Sequence, residues 1–349
     1  MSKKKHIGKI IGLIAISLLV AGGIAGYRIY ECIYGVNLSV NHEDEPFLYI
    51  PTNSTFDDVC LLLEEAGLHD AKSFRWVAGK MNYPNKIKSG HYRLIDGMSN
   101  IELVRMLRSG RQIPVKVIFN NIRLNTQLAA AVTPTIEADS ASIMALLTDS
   151  AYLAEHFKHT PRTILSLFIP NTYEFFWNTS AKGFMDRMAK EYNRFWTDER
   201  RQKARDANLT PLQVSILASI IEEETQKDDE KATMAGVYIN RLNRGMLLQA
   251  DPTLKFALGD FTIKRVLDRH KEIQSPYNTY KNTGLPPGPI CIPSIASIDA
   301  VLNYTKHDYL FFCAREDFSG YHNFARTLQQ HNQNAQAYQK ALNKMRIFQ

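Results

Sequence analysis

A chain of 349 residues with 45% hydrophobic content can bury one large or two ordinary cores, which excludes a disulfide-stapled miniature. The formal net charge of +7 fits an anionic partner or simply a solvated basic surface, but no basic cluster is joined to a nucleic-acid reading motif, which argues against nucleic acid. Cys32, Cys60, Cys291 and Cys313 show no CxxC or metal-ligand spacing, so they speak neither for zinc nor for a dense disulfide framework; buried free thiols are expected, with a bridge from Cys60 to Cys291 or Cys313 as the alternative.

The first element is apolar. Ile10 to Tyr27 runs 18 residues without a charge between Lys9 and Arg28, close to the ~20 that a helix needs to cross a bilayer. The stretch is longer than a usual signal-peptide core and Ala25-Gly26-Tyr27 is a poor cleavage site, which favours an uncleaved anchor. Lys3, Lys4, Lys5 and Lys9 precede the span and only Arg28 follows closely, so the positive-inside rule places the N-terminus in the cytoplasm and the rest of the chain outside it.

Next come short elements of both kinds. Phe47 to Ile50 reads as a strand; Thr55 with Asp58 three residues on caps a helix carrying Val59, Leu62, Leu63 and Ala66, stopped by Gly67. Gly90 to Leu94 is a second strand, Ser99 and Glu102 form a capping box before Ile101, Val104 and Leu107, Gly110 ends that helix, and Val115 to Phe119 is a third strand. A small domain over residues 45–119 is therefore expected after a tip and anchor over 1–28, with a mainly helical remainder, 120–349, and an α+β fold class as a whole. Within the remainder, Phe168 to Phe175 combines proline with aromatics and no helical period, as do Tyr277-Asn278-Thr279-Tyr280 and Gly284-Leu285-Pro286-Pro287-Gly288-Pro289. Both read as ordered loops, and polar aromatics on rigid turns suit sugars, which present apolar CH faces and hydroxyls together.

Between these loops lies a well-marked helix. Thr210 at the N-cap, Pro211 at N1 and Gln213 at N3 start it, and at about 100° per residue Val214, Leu217, Ile220 and Ile221 form one stripe. Glu224 continues that stripe; Glu222 falls nearly opposite and Glu223 at the border. A carboxyl held against apolar neighbours resists ionisation, so it keeps a proton to donate near neutral pH. From the period alone, a helix that has ended by Glu224 and leaves three acids in a solvated patch fits equally well.

The motifs around it resemble those of the YceG-like endolytic murein transglycosylases. Ala218-Ser219-Ile220-Ile221-Glu222-Glu223-Glu224-Thr225 is similar to A-S-I-[IV]-E-x-E-T, whose second glutamate is catalytic and falls on Glu224. Tyr238-Ile239-Asn240-Arg241-Leu242 resembles [FY]-x-N-R-L, Leu248-Gln249-Ala250-Asp251-Pro252-Thr253 resembles L-Q-x-D-P-T, and the two loops after Tyr277 resemble Y-N-T-Y and G-L-P-P-G-x-I. His322-Asn323-Phe324, Thr327 and His331-Asn332 follow the family's tail, and Ser89 to Arg93 looks like its LysM-like region. Two positions depart: P-D-T-Y is Pro170-Asn171-Thr172-Tyr173 here, where an amide can keep the hydrogen bonds of a carboxylate without its charge, and the E-G-x-x-F pattern before it gives way to Leu165-Ser166-Leu167 around Phe168.

The resemblance implies cleavage of the β-1,4 bond between N-acetylmuramic acid and N-acetylglucosamine in nascent peptidoglycan strands, leaving a 1,6-anhydro end and terminating glycan elongation. One carboxyl suffices for that reaction because the substrate's own 6-hydroxyl is the nucleophile, unlike the two-carboxylate hydrolases. Glu224 is then the acid/base, and Asn240, Arg241, Gln249, Asp251, Tyr277, Asn278, Tyr280, His322 and Asn332 are candidates for placing substrate or orienting it. No cofactor is implied; the spacing of His322 and His331 matches no metal-ligand pattern. The implied partners are glycan strands, with peptidoglycan synthases as candidate protein partners, and the implied location is the inner membrane. Two other readings stay open: a lysozyme-like hydrolase in which Asp251 positions water, and a catalytically idle envelope scaffold that binds glycan.

Overall fold

The structure is a computed structural model that describes residues 2–40, 47–263 and 265–345. Its fold is mixed α and β, as the sequence predicts, mostly helical with three two-stranded sheets among the described residues. By compactness the chain forms two units: the first runs to Val115 and takes in Thr135–Glu137 and Glu174–Thr179, and the second takes the rest from Lys116. The expected start of the small domain at Glu45 lies outside the described residues.

The first unit opens with α1 (Ser2–Tyr34), a helix long and apolar enough to cross a membrane, with its apolar side chains exposed from Ile7 to Tyr30, and Cys32 and Ile33 turned to the core of the unit. Strand β1 (Phe47–Ile50) is followed by α2 (Phe56–Glu65) and α3 (Ala71–Lys80), then β2 (Gly90–Arg93) and α4 (Asn100–Ser109). Both predicted capping boxes form, Thr55 with Asp58 and Ser99 with Glu102, and Gly110 closes α4 at φ 69°, a left-handed conformation that a side chain would strain. β1 and β2 pair antiparallel, Phe47 opposite Arg93, over a core of Leu48, Ile50, Val59, Leu63, Phe74, Tyr92, Leu103 and Leu107.

Where α1 meets α3 and α4 this unit holds a saturated polar knot. Asn37 Nδ2 donates to Asn100 Oδ1 at 2.7 Å and to the Asp70 carbonyl at 2.9 Å, while its Oδ1 accepts from Asp70 N at 2.7 Å. Asn100 Nδ2 in turn donates to the carbonyl of Cys32, inside α1, at 2.8 Å, and to Ser73 Oγ at 3.0 Å. The last turns of α1 are thereby fixed to α3 and α4, since each buried amide would lose about 1–3 kcal/mol of satisfied bonding if the joint opened.

The chain continues with β3 (Val115–Phe119), α5 (Asn125–Val132), α6 (Ser140–Thr148), α7 (Ser150–Phe157), β4 (Asn171–Phe175), α8 (Ala181–Phe195) and α9 (Asp198–Asp206), all in the second unit except Val115 and the last two residues of β4. Then come α10 (Pro211–Glu224), α11 (Asp228–Asn243), α12 (Asp251–Leu258), α13 (Asp268–Lys271), α14 (Ile295–Leu302), the hairpin β5 (Phe311–Ala314) and β6 (His322–Ala325), and α15 (Leu328–Lys344). One prediction changes here: the segment ending at Phe175 is an open loop only to Pro170, and Asn171–Phe175 is strand β4, paired with β3. Tyr173 and Phe175 alternate inward between exposed neighbours, a period of two that the proline masks in the sequence.

The core of this unit wraps α10 completely. Every residue from Val214 to Ile221 is buried, the serines included, so the helix has no solvent face at these positions and the predicted apolar stripe is one sector of a fully enclosed cylinder. The serines are tolerated because Ser215 and Ser219 donate back to the carbonyls of Pro211 and Ile216, and Ser219 Oγ accepts from Ile290 N at 3.0 Å. α11 and α14 pack directly against α10, with Met234, Ala235, Tyr238, Ile298 and Val301 filling the seams. The four cysteines are free thiols, Cys60 and Cys291 buried.

Candidate functional site

The predicted N-cap of α10 forms as read, Thr210 accepting from Gln213 N and Gln213 reaching back to Thr210 N, and the helix ends at Glu224. The three terminal acids then go three ways. Glu222 Oε2 accepts from Ser294 Oγ and Ser297 Oγ, each at 2.5 Å, and lies 3.5 Å from Lys231 Nζ. Glu223 takes both carboxylate oxygens to Arg123 Nη2 at 2.8 Å. Glu224 has one hydrogen-bond partner among the described residues, the phenol of Tyr238, which donates to Oε1 at 2.7 Å.

Glu224 lies in the wall of a cavity of about 420 Å³, a size within the usual range for ligand sites. Part of its carboxyl surface is open to this hollow, and protein covers it on the other sides. That burial pushes its pKa up to about 7; the Tyr238 hydrogen bond opposes the rise, Asp251 adds to it by repulsion, and Lys255 and Arg241 pull weakly the other way. The helix C-terminus also disfavours a negative charge at this end. A carboxyl poised near neutrality can give up a proton and later take one back.

Arg241, one turn beyond Tyr238 on α11, is buried and held rigidly. Its Nε donates to Leu310 O at 2.6 Å and its Nη1 to Leu248 O at 2.8 Å, which ties α11 to the approach of β5 and to the loop before α12. In that loop Gln249 lies in the cavity wall with φ 52°, a left-handed backbone that costs a non-glycine residue about 1 kcal/mol or more and that often marks a site. Asp251 opens α12 and accepts from Tyr280 OH at 2.6 Å, so the Q-x-D and Y-N-T-Y motifs meet at one carboxylate. To the same cavity β5 supplies Phe312, Cys313 and Ala314, and β6 supplies His322. His322 donates Nδ1–H to Glu230 Oε1 at 2.5 Å, since a carboxylate can only accept, and Glu230 Oε2 takes the backbone N–H of His322 at 3.1 Å.

Six of the predicted residues thus share one cavity: Glu224, Arg241, Gln249, Asp251, Tyr280 and His322. The other four stand outside its lining. Asn240 donates to the carbonyls of His307 and Tyr309 at 2.7 and 3.0 Å, which anchors the entry to β5. Asn278 is fully buried and clamps the loop, donating to Lys271 O and Ile273 O and accepting from Tyr280 N. Tyr277 packs its ring 4.7 Å from that of Phe256, and Asn332 is exposed on α15. The G-L-P-P-G segment turns to a second hollow of about 380 Å³ beside Leu209 and Leu242; its Gly288 is required by space, because a Cβ there would meet Arg162 O at 2.0 Å.

Sequence reasoning passed over Tyr238 and Glu230 as site residues and weighed His331 only as a metal ligand. Tyr238 carried a signal, a phenol inside an otherwise apolar stretch of helix, where a buried hydroxyl must have a partner. His331, adjacent to the candidate Asn332, stacks on Phe311 at 5.4 Å and lines the cavity with a buried Nδ1 that has no hydrogen-bond partner among the described residues. Burial and the nearby Arg241 charge lower its pKa, so it stands neutral as a polar contact. Phe312, Cys313 and Ala314 belong to a short apolar run with no distinguishing pattern.

Comparison with known proteins places these features in context. The sequence profile of the YceG-like family matches residues 48–337. An endolytic murein transglycosylase of Bacillus subtilis (strain 168) is 30% identical over 305 residues, covering 83% of each chain. A protein of the same name from Streptococcus pneumoniae (strain D39) is 28% identical over 338 residues, which span 86% of this chain and 60% of that longer protein. A crystal structure of a yceG-like protein from Listeria monocytogenes superposes with a TM-score of 0.54 at 28% identity, covering 82% of this chain and 97% of its own. With a profile match over most of its length and a relative this similar along the whole domain, the chain belongs to the YceG-like family.

Proposed function

We propose that this chain is a membrane-anchored lytic transglycosylase that cuts murein strands internally, at the β-1,4 bond between N-acetylmuramic acid and N-acetylglucosamine, and so ends glycan elongation. The observation that carries the reading is Glu224, a carboxyl with a pKa near 7 facing a polar cavity and held by one phenol. It protonates the leaving oxygen, and the resulting carboxylate takes the proton of the muramic 6-hydroxyl as that oxygen closes on C1. Arg241, Gln249, Asp251, Tyr280 and His322 surround the reacting bond, while Asn240 and Asn278 act through the backbone they fasten. Residues 120–349 make the catalytic domain and 45–119 a LysM-like subdomain, consistent with the separate core built from Leu38 to Leu107. α1 is the anchor, with its N-terminus in the cytoplasm, the catalytic domain outside and glycan strands as the partner.

Mass spectrometry of peptidoglycan digested by the full chain tests this. An anhydro end is lighter than a reducing end by one water, so reducing ends would instead establish a hydrolase in which the Asp251 carboxylate directs water, and intact strands a scaffold. A reporter active only outside the cytoplasm, fused after Gln349, should give signal; one active only inside should not.

A further inference from the structure

The joint between α1 and the first unit fixes how far that unit can stand from a bilayer. The uncharged run of α1 ends at Tyr27, and Cys32, whose carbonyl accepts from Asn100, is four residues beyond Arg28, about 6 Å along a helix axis. A headgroup layer is itself about 5–8 Å thick on each side of the hydrocarbon. Cys32 Sγ also contacts Ser73 O, and Ser73 Oγ accepts from both Asn37 and Asn100. The first turn of α3 is therefore pinned within reach of the headgroups, with no linker to let it drift away.

Its outer face matches that depth. Lys72, Trp76, Gly79 and Lys80 form one exposed stripe, with Trp76 44% exposed and Lys80 Nζ 5.8 Å from its ring centre. Phe74, Val77 and Ala78 on the opposite side are buried in the core, and Trp76 lies outside that core. At the same level α1 exposes Tyr27, Tyr30 and Tyr34, the last two with ring centres 5.0 Å apart, a belt of amphipathic rings of the kind that settles at a membrane–water boundary. Of the acids nearby, Asp57 is paired with Arg75, Asp70 caps the N-terminus of α3, and Glu31 lies on α1, where it accepts from Tyr27 OH at 3.0 Å; the stripe itself carries two lysines and no acid.

We propose that the Lys72-Trp76-Lys80 face of α3 docks on anionic lipid headgroups and holds the first unit flat against the membrane. This inference rests on α1 being the anchor and is independent of the reaction assigned to Glu224. The test uses the full chain in phosphatidylcholine vesicles, with and without phosphatidylglycerol, carrying lipids brominated near the headgroup to quench tryptophan emission. The chain should float with the vesicles, its emission should be quenched more strongly when phosphatidylglycerol is present, and Trp76→Phe should remove the quenched component, leaving Trp177 and Trp196. Lys72→Gln with Lys80→Gln should cut the docked-to-undocked ratio in anionic vesicles by about fivefold per lysine. Quenching that survives Trp76→Phe, or that ignores both phosphatidylglycerol and the lysines, overturns the docking while leaving the anchor intact. A chain that fails to float removes the anchor and the docking together.

Discussion

Two surfaces of one helix end separate structure from chemistry. On the α14 side of α10, Glu222 is met by two serine hydroxyls, the N–H of Ser294 and Lys231, at the N-terminus of a second helix whose dipole favours a carboxylate. On the cavity side, two residues later, Glu224 meets one phenol and an open hollow. The consequences are opposite in sign. Burial alone would raise both; for Glu222 the hydroxyls and Lys231 outweigh it and hold the carboxyl below its usual value, whereas for Glu224 burial wins and the pKa climbs to about 7. A buried acid with its full set of partners is a fastener, and one left short of partners holds a proton available for transfer.

The sharpest way to break this comparison is Glu224→Gln. The amide keeps the shape and the Tyr238 hydrogen bond but has no proton to transfer, so anhydro-product formation should fall by about 10²-fold or more. Stability should move the other way. Because the folded pKa of Glu224 lies above its ordinary 4.5, the native state is relatively most stable below that value and loses stability as pH rises through about 7. Removing the ionisable group should therefore stabilise the fold above neutrality, on the order of 2 kcal/mol, measurable by denaturant titration at several pH values. Activity retained in the variant would show that the cavity's chemistry lies elsewhere.

Glu222→Gln should give the reverse pattern. It weakens the α10–α14 seam by about 1–3 kcal/mol while leaving turnover per folded molecule little changed. Its pH signature also inverts: with a lowered folded pKa, the Glu222 contribution is present above about pH 4.5 in the wild type and is lost as pH falls through the folded value, so the variant should lose that part of its acid sensitivity. A variant that folds normally but is inactive would make Glu222 the acid.

How far this contrast could be read without coordinates depends on range. Local signals were clear: the Thr210/Gln213 box, the Ser99/Glu102 box and Gly110 all fall where predicted, because each depends on residues within one turn. The apolar stripe picked Glu224 on incomplete grounds, since the short side chains of Ser215, Ala218 and Ser219 disguise a helix that is enclosed all round. What distinguishes the three glutamates is who meets them: Arg123 and Ser294 come from distant parts of the chain, and Tyr238 from the following helix, beyond the reach of a single-helix pattern. The same holds for β5: nothing local in Phe311–Ala314 says that Phe312, Cys313 and Ala314 line the cavity of Glu224, and Asn278, equally part of a motif, proves to be a clamp on its own loop.

A subtler test acts on the single partner. The Tyr238 phenol stabilises the carboxylate form of Glu224, so Tyr238→Phe should raise the Glu224 pKa further, by about one unit if the bond is worth 1.5 kcal/mol or a little more. Activity needs the protonated acid, so the alkaline limb of kcat/KM should move to higher pH, while kcat drops severalfold as the carboxyl loses its fixed orientation. A limb that stays in place would mean that the phenol only fills space. Crystal or NMR evidence of an unchanged fold separates this from collapse, because Tyr238 also packs edge-on against Phe312 at 5.7 Å.

The smallest effect is expected at Asn171, where the family pattern carries aspartate. Here the side chain is exposed at the start of β4, and its Oδ1 accepts from Thr172 N at 2.8 Å. That bond needs only an acceptor oxygen, which amide and carboxylate both supply, and it shapes the backbone locally as short polar side chains do in turns. Tyr173, the next motif residue but one, is held independently: its hydroxyl donates to Ile169 O at 2.6 Å and its ring stacks 5.7 Å from Phe119. Asn171→Asp should therefore shift stability within about 0.5 kcal/mol and leave turnover and the pH profile where they are. A gain in activity would instead mean that this position meets substrate as a charge, extending the working surface from the Glu224 cavity to the start of β4.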